Sequence, residues 1–269
     1  MDDIRYRTQF DNRSLLDPRP DGPASRVGRH FHGPIRAWAA TTLVGFIVTA
    51  TALIGLGMLL VAEFLPEGVG AWDRSISTWF VAQRTDALNS ATAVGSMLGS
   101  TFVVIAIAIV VGIVLAFGRH WLAIGFLAAG LLIEVGAFLA ATLAVSRPRP
   151  SVPQLDVAPP TSSFPSGHTA AAIVLYVGVA IIVWTLTNSR VLRAFFWAVA
   201  VLTPIFVALS RLYRGMHHAT DVLGSVVLAA AALFCAVIVT RVSTATVVRT
   251  AHEAEPSEDP VVVEPGVSV

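Results

Sequence analysis

The sequence predicts an all-α fold, a polytopic membrane helical bundle with six transmembrane helices. Two observations lead there. Of 269 residues, 55% are hydrophobic and only 13% charged, about half the charged share usual in a soluble domain, and the mean hydropathy is +0.73. The apolar residues are not scattered but gathered into six runs, each near the roughly 20 residues that a helix needs to cross a bilayer.

The runs come in order along the chain. Residues 1–36 are polar and Arg-rich, lack a signal-type apolar core, and read as a flexible cytoplasmic arm. Residues 37–240 form the membrane domain, with spans at about Ala37–Ala62, Leu98–Gly118, Trp121–Ala144, Thr169–Thr187, Ala194–Leu209 and Val222–Thr240. Between the first two, Trp72–Ser96 sets Trp72, Ile76, Trp79, Phe80 and Leu88 among polar residues. It reads either as an amphipathic helix lying at the interface or as an extramembrane loop. Residues 241–269 turn acidic and proline-containing (Glu253, Glu255, Pro256, Glu258, Asp259, Pro260) and read as a disordered cytoplasmic tail.

Net charge is +1, which gives no case for a nucleic-acid partner. The chain has no Lys, so Arg is its one permanently cationic side chain. The single Cys235 excludes an intrachain disulfide and a Cys-rich metal site. Most Arg residues fall in loops on the side of the N-terminus, which makes that side cytoplasmic. The exceptions are Arg74, Arg84, Arg147, Arg149, Arg211 and Arg214. Segments 145–168 and 210–221 then share the extracytoplasmic face of an inner or plasma membrane, separated by two spans.

Those two segments hold the chemistry. Pro165-Ser166-Gly167-His168 precedes the fourth span. A helix start leaves amides free to meet an anion, Gly167 admits close backbone approach, and His168 can move a proton near neutral pH. Ser210-Arg211 ends the fifth span, and His217 and Asp221 come next at i, i+4 spacing. Arg211 offers a planar fork to phosphate oxygens. Asp221 is placed to accept the Nδ1 proton of His217 and leave Nε2 free for a phosphorus atom. Arg147-Pro148-Arg149-Pro150 is stiffened by its prolines and presents two guanidinium groups. Together these are the means to hold a phosphate and displace it through a histidine, and the lipid setting makes a lipid phosphate the natural substrate.

In order and spacing the three segments resemble the tripartite signature of the type 2 phosphatidic acid phosphatase superfamily, K-x6-R-P, P-S-G-H and S-R-x5-H-x3-D. The second and third parts are intact over 165–168 and 210–221. The resemblance covers roughly residues 37–240. It implies hydrolysis of a terminal phosphate from a phospholipid or polyprenyl (pyro)phosphate. In it His217 would be the nucleophile that forms a phosphohistidine, Asp221 its orienter, and His168 the acid for the leaving oxygen. Arg149, Arg211, Ser166 and Gly167 would hold the phosphoryl oxygens. It implies no metal and no other cofactor, and it calls for no obligate protein partner. The soluble haloperoxidases that share this site are disfavoured by the lipid-embedded body.

One position departs from the signature. The Lys falls on Thr142, which cannot offset charge; Arg147 is the candidate replacement cation. The loss favours two alternatives more than a full match would: a phosphotransferase using the same residues, or a weak or inactive lipid-binding protein. Glu134, near the middle of the third span, reads equally as a packed, hydrogen-bonded residue or a functional one.

Overall fold

The computed structural model describes residues 16–19 and 22–254, and among them every regular element is helical. A short α1 (Pro23–Gly28) precedes α2 (Pro34–Leu59), whose first position is a proline where no amide is needed. A wide π-type stretch, Leu60–Val69, comes next. Pro66 removes a donor there, and Gly68 takes φ +105°, so the helix axis breaks. The chain continues as α3 (Gly70–Ala82) and α4 (Asp86–Leu98), the latter capped by the Thr85 hydroxyl, which accepts from the Leu88 amide at 3.2 Å. Then come α5 (Thr101–Phe117), α6 (Trp121–Ala144), α7 (Gly167–Leu186), α8 (Arg190–Tyr213) and α9 (Ala219–Ala254).

Among the described residues five stretches are long and apolar enough to cross a membrane, and the pair α4–α5, bent by 50°, makes a sixth when it is taken as one broken span. Their outer faces are apolar: Phe102, Phe117, Leu143 and Val191 are all more than three-quarters exposed. Side chains of this kind face lipid, not water, which makes this a multi-pass membrane protein. The interior is built of Leu, Ile, Val and small residues. Phe126, Ile133, Leu175 and Val239 form one cluster where α6, α7 and α9 meet; Leu53, Val145, Phe164 and Leu228 form a second, nearer the site. Helices close where glycine permits. A Cβ on Gly224 would stand 2.3 Å from the Phe164 ring, and one on Gly57 would stand 2.8 Å from it.

Three expectations are corrected. The Trp72–Ser96 segment is two helices, not one helix or a loop, because Thr85 caps a new start after Gln83. The disordered tail expected from residue 241 is helical as far as Ala254, and α9, at 36 residues, is about 54 Å long. Its extension is held by α1 and the turn after α1. Thr246 Oγ1 donates to the Gly28 carbonyl at 3.3 Å, and Arg249 Nη2 to that of Phe31 at 2.5 Å. The same contacts mean that the arm over 1–36 is not wholly free: α1 packs on α9, and Leu16 is fully buried. The rest of the arm (residues 1–15, 20 and 21) and the acidic end (255–269) lie outside the described residues.

Candidate active site

The site is assembled where α7 begins, α8 ends and α9 begins. Gly167 and His168 are the first two residues of α7, in the turn whose amides have no acceptor within the helix. A side chain at Gly167 would force the Phe138 ring to move, since its Cβ would lie 2.9 Å from that ring. Arg211 sits in the last turn of α8. The chain then reverses through Gly215, at φ +72°, a conformation that only glycine adopts cheaply. His217 lies in the connection, and Asp221 in the first turn of α9.

His168, His217, Arg149, Arg211 and Gly167 all line one cavity of about 850 Å³. The imidazole Nδ1 of His217 lies 2.8 Å from the Ser163 carbonyl, which can only accept. That nitrogen therefore carries the proton, and in the neutral ring Nε2 holds the free lone pair. Burial pushes the His217 pKa below its usual value, against a partial counter-effect from Asp221. Arg149 reaches into the same space from the loop after α6. Its Nη1 donates to the Met216 carbonyl at 2.8 Å, and its Nε is buried with no acceptor. Burial also lowers the Arg149 pKa, with Asp221 opposing. Arg211 gives Nη1 to Ser96 Oγ (2.6 Å) and to Asp156 Oδ2 (2.9 Å), and its Nε too is unpaired. Two guanidinium groups, that of Arg211 buried and that of Arg149 half-buried, each with an unsatisfied buried Nε donor, suit an incoming polyanion.

Asp221 does not bond His217 directly, as the spacing suggested. Its Oδ2 is 3.7 Å from Nδ1. That oxygen instead accepts from Ser163 Oγ and, at 2.8 Å, from the His218 amide. Asp221 thus fixes Ser163, whose carbonyl fixes the ring: it is a positioning residue, one step removed. Arg147 is also displaced from its expected place. Its side chain is 2% exposed and spans two carboxylates, with Nη1 on Asp221 and Nη2 on Asp73 at 2.5 Å. It does not line the cavity and cannot replace the missing lysine. Ser166 is fully buried behind the site. Its amide donates to the Asp221 carbonyl at 3.3 Å and its hydroxyl pairs with that of Thr169 at 3.0 Å. Thr142 turns its hydroxyl back to the Leu139 carbonyl at 3.0 Å.

Four participants escape a reading of the sequence alone. Asp73, on α3, accepts from Arg147 and from the amide and hydroxyl of Thr220 (3.1 and 2.6 Å). Ser163 contributes the carbonyl on His217. Ser96, on α4, steers Arg211. Asp156 pairs with Arg211 and, at 2.6 Å, with Arg214. Burial works against the Asp156 carboxylate, but the ion pairs with Arg214 and Arg211 outweigh it and hold its pKa below the usual range. The one available signal was a carboxylate interrupting the amphipathic pattern at Asp73; Ser96, Asp156 and Ser163 had none.

From this polar end the cavity continues between α5 and α6, walled by Val104, Ile105, Ala108, Leu127, Leu131 and Val135. Hydrocarbon suits such a wall.

Comparison with curated protein sequences gives no match. Among solved structures the chain is similar to the crystal structure of a transmembrane PAP2-type phosphatidylglycerolphosphate phosphatase from Bacillus subtilis. The TM-score is 0.59 and identity 23%, over 77% of this chain and 94% of that one. The likeness shows that the two share a fold. The PAP2 superfamily model matches residues 121–245, the stretch from the start of α6 into α9 that carries both histidines and both cavity-lining arginines. That stretch holds most of the site just described, and over it the chain is similar to the PAP2 superfamily.

Proposed function

We propose that the protein is a membrane lipid-phosphate phosphatase that works through a phosphohistidine. One observation carries the reading. Two imidazoles and two guanidiniums with unpaired Nε–H groups line the polar end of a cavity whose other end is hydrocarbon-like. A phosphate held by Arg149, Arg211 and the Gly167–His168 amides would face Nε2 of His217. Attack forms the Nε2–P bond as the lipid P–O bond breaks, and protonated His168 gives its proton to the departing lipid oxygen. Neutral His168 then takes a proton from water, which attacks the phosphohistidine and releases inorganic phosphate. Negative charge spreads over the transferring oxygens in the transition state, where the two guanidiniums act. Phosphatidylglycerophosphate, phosphatidic acid and polyprenyl (pyro)phosphates share the needed features, an exposed terminal phosphate on a chain that stays in lipid. The Arg bias of the loops supports an extracytoplasmic site.

Thr142 leaves the site one cation short of the family signature, and Arg147 does not make up the difference. A charge-assisted phosphate contact contributes about 1.5–3 kcal/mol, so weaker phosphate binding is expected than in a lysine-bearing relative. The test is phosphate release from a lipid-phosphate panel in detergent with EDTA present. Release by the wild type and its loss in His217→Ala support the reading; equal release from both refutes it. Transfer of phosphate to an added alcohol in place of water would identify a phosphotransferase.

A further inference from the structure

The cavity wall away from the histidines is apolar apart from one group. Glu134, on α6, lines it and is only 3% exposed. Among the described residues no donor or cation partners its carboxyl. An unpartnered carboxyl within a membrane helix is costly and does not persist as mere packing, for which leucine would serve better.

Its depth is fixed by the helix. Glu134 and Phe138 are four residues apart on one face of α6, a rise of about 6 Å. The Phe138 ring lies against Gly167, next to His168. The carboxyl therefore stands about one helical turn from the anion-holding end, on the hydrocarbon side. In a glycerolipid phosphate, that depth is occupied by the linkage region, with its ester oxygens or free hydroxyl. In an isoprenyl phosphate only hydrocarbon lies there.

We infer that Glu134 is a specificity-determining residue that hydrogen-bonds an ester or hydroxyl group of the substrate one turn below its phosphate, selecting glycerolipid phosphates over isoprenyl phosphates. This rests on the phosphatase reading of the same site. A protonated carboxyl donates to an ester oxygen, and either form accepts from a hydroxyl. A site with a buried polar group discriminates strongly against a ligand that leaves it unpaired.

The experiment uses the full chain in detergent and measures kcat/KM for four substrates: diacylglycerol phosphate, monoacylglycerol phosphate, dialkyl-ether glycerol phosphate and a C20 isoprenyl monophosphate. Wild type, Glu134→Gln, Glu134→Leu and His217→Ala are compared. The wild type is expected to favour the ester- or hydroxyl-bearing lipids. Glu134→Leu should lower their kcat/KM relative to the isoprenyl substrate by about tenfold or more, and Glu134→Gln, which can still donate and accept, by less. A loss confined to the diacyl lipid identifies the ester as partner, and one confined to the monoacyl lipid identifies the hydroxyl. A ratio unchanged within about twofold in both variants, with turnover still dependent on His217, overturns the inference alone. Should Glu134→Leu not fold, the wild-type series and Glu134→Gln decide, and equal efficiency on all four lipids counts against it. Equal release by wild type and His217→Ala would instead overturn the phosphatase reading.

Discussion

At the scale of single residues, His217 sets the pH behaviour. Burial disfavours its protonated form, so its folded pKa lies below the ordinary 6.5. The proposed nucleophile thus remains unprotonated as the pH drops below 6.5, and on that proposal reactivity is lost only as the pH falls through the depressed folded value. The expected acid limb of kcat/KM lies below pH 6.5, and a limb at or above that value would contradict the assignment. Stability carries the same sign. Below about pH 6.5 the unfolded chain takes up a proton that the folded chain refuses, so this residue's contribution to stability diminishes on acidification. Arg147 makes a separate prediction. Removing it in Arg147→Ala leaves two facing buried carboxylates and should cost about 3–5 kcal/mol of stability, read as a lower midpoint of unfolding in mixed micelles. Arg147→Lys should recover only part of this, because an ammonium cannot bridge two carboxylates with the geometry of a fork.

At the scale of elements, the joint between α4 and α5 presses on the start of α7. A Cβ at Gly99 would stand 2.7 Å from the His168 carbonyl oxygen and 2.7 Å from Val207 Cγ1. The first of these is backbone and cannot rotate away. Gly99→Ala should therefore shift His168, with a stability cost of about 1–3 kcal/mol and a drop in kcat of about tenfold or more. Gly55→Ala on α2, where a Cβ meets nothing, should leave activity unchanged and serves as the control. The elements also show what was legible in advance. Long apolar runs and the three motifs single out His168, His217, Arg149 and Arg211, which the fold brings to one cavity, because polar residues at fixed spacing stand out in a membrane sequence. Backbone acceptors leave no such trace, so the Ser163 carbonyl on His217 is invisible there, and the i, i+4 spacing suggests a direct Asp221 contact that the fold replaces. Arg147 and Arg149 look alike in sequence. Only the packing of α3 against the start of α9 sends one to the carboxylates and the other to the cavity.

Across the whole molecule, the site draws on residues outside the stretch that matches the family. Asp73 and Ser96 come from helices before residue 121, and both contact residues within it. Such long-range contacts have no local signature, which is why Ser96 does not stand out along the chain and Asp73 shows only as a carboxylate that interrupts an amphipathic pattern. The dependence is measurable as a double-mutant cycle. Asp73→Ala and Arg147→Ala should be non-additive, with a coupling of about 0.5–3 kcal/mol, and strict additivity would mean that the ion pair does not join the two parts. The topology is testable on the same scale: a fluorescent reporter fused after residue 269 should mature in the cytoplasm, and one inserted near residue 151 should not.

The bridge from Asp73 through Arg147 to Asp221 also bears on how the protein is made. Its members are separated by 74 residues and then by another 74, so they leave the ribosome in three well-spaced instalments. Once Arg147 emerges, Asp73 is already present to neutralise it, and the pair can wait in the nascent bundle without a bare charge in lipid. Asp221 arrives last, just behind His217, so the proposed site is complete only once most of the chain has been made.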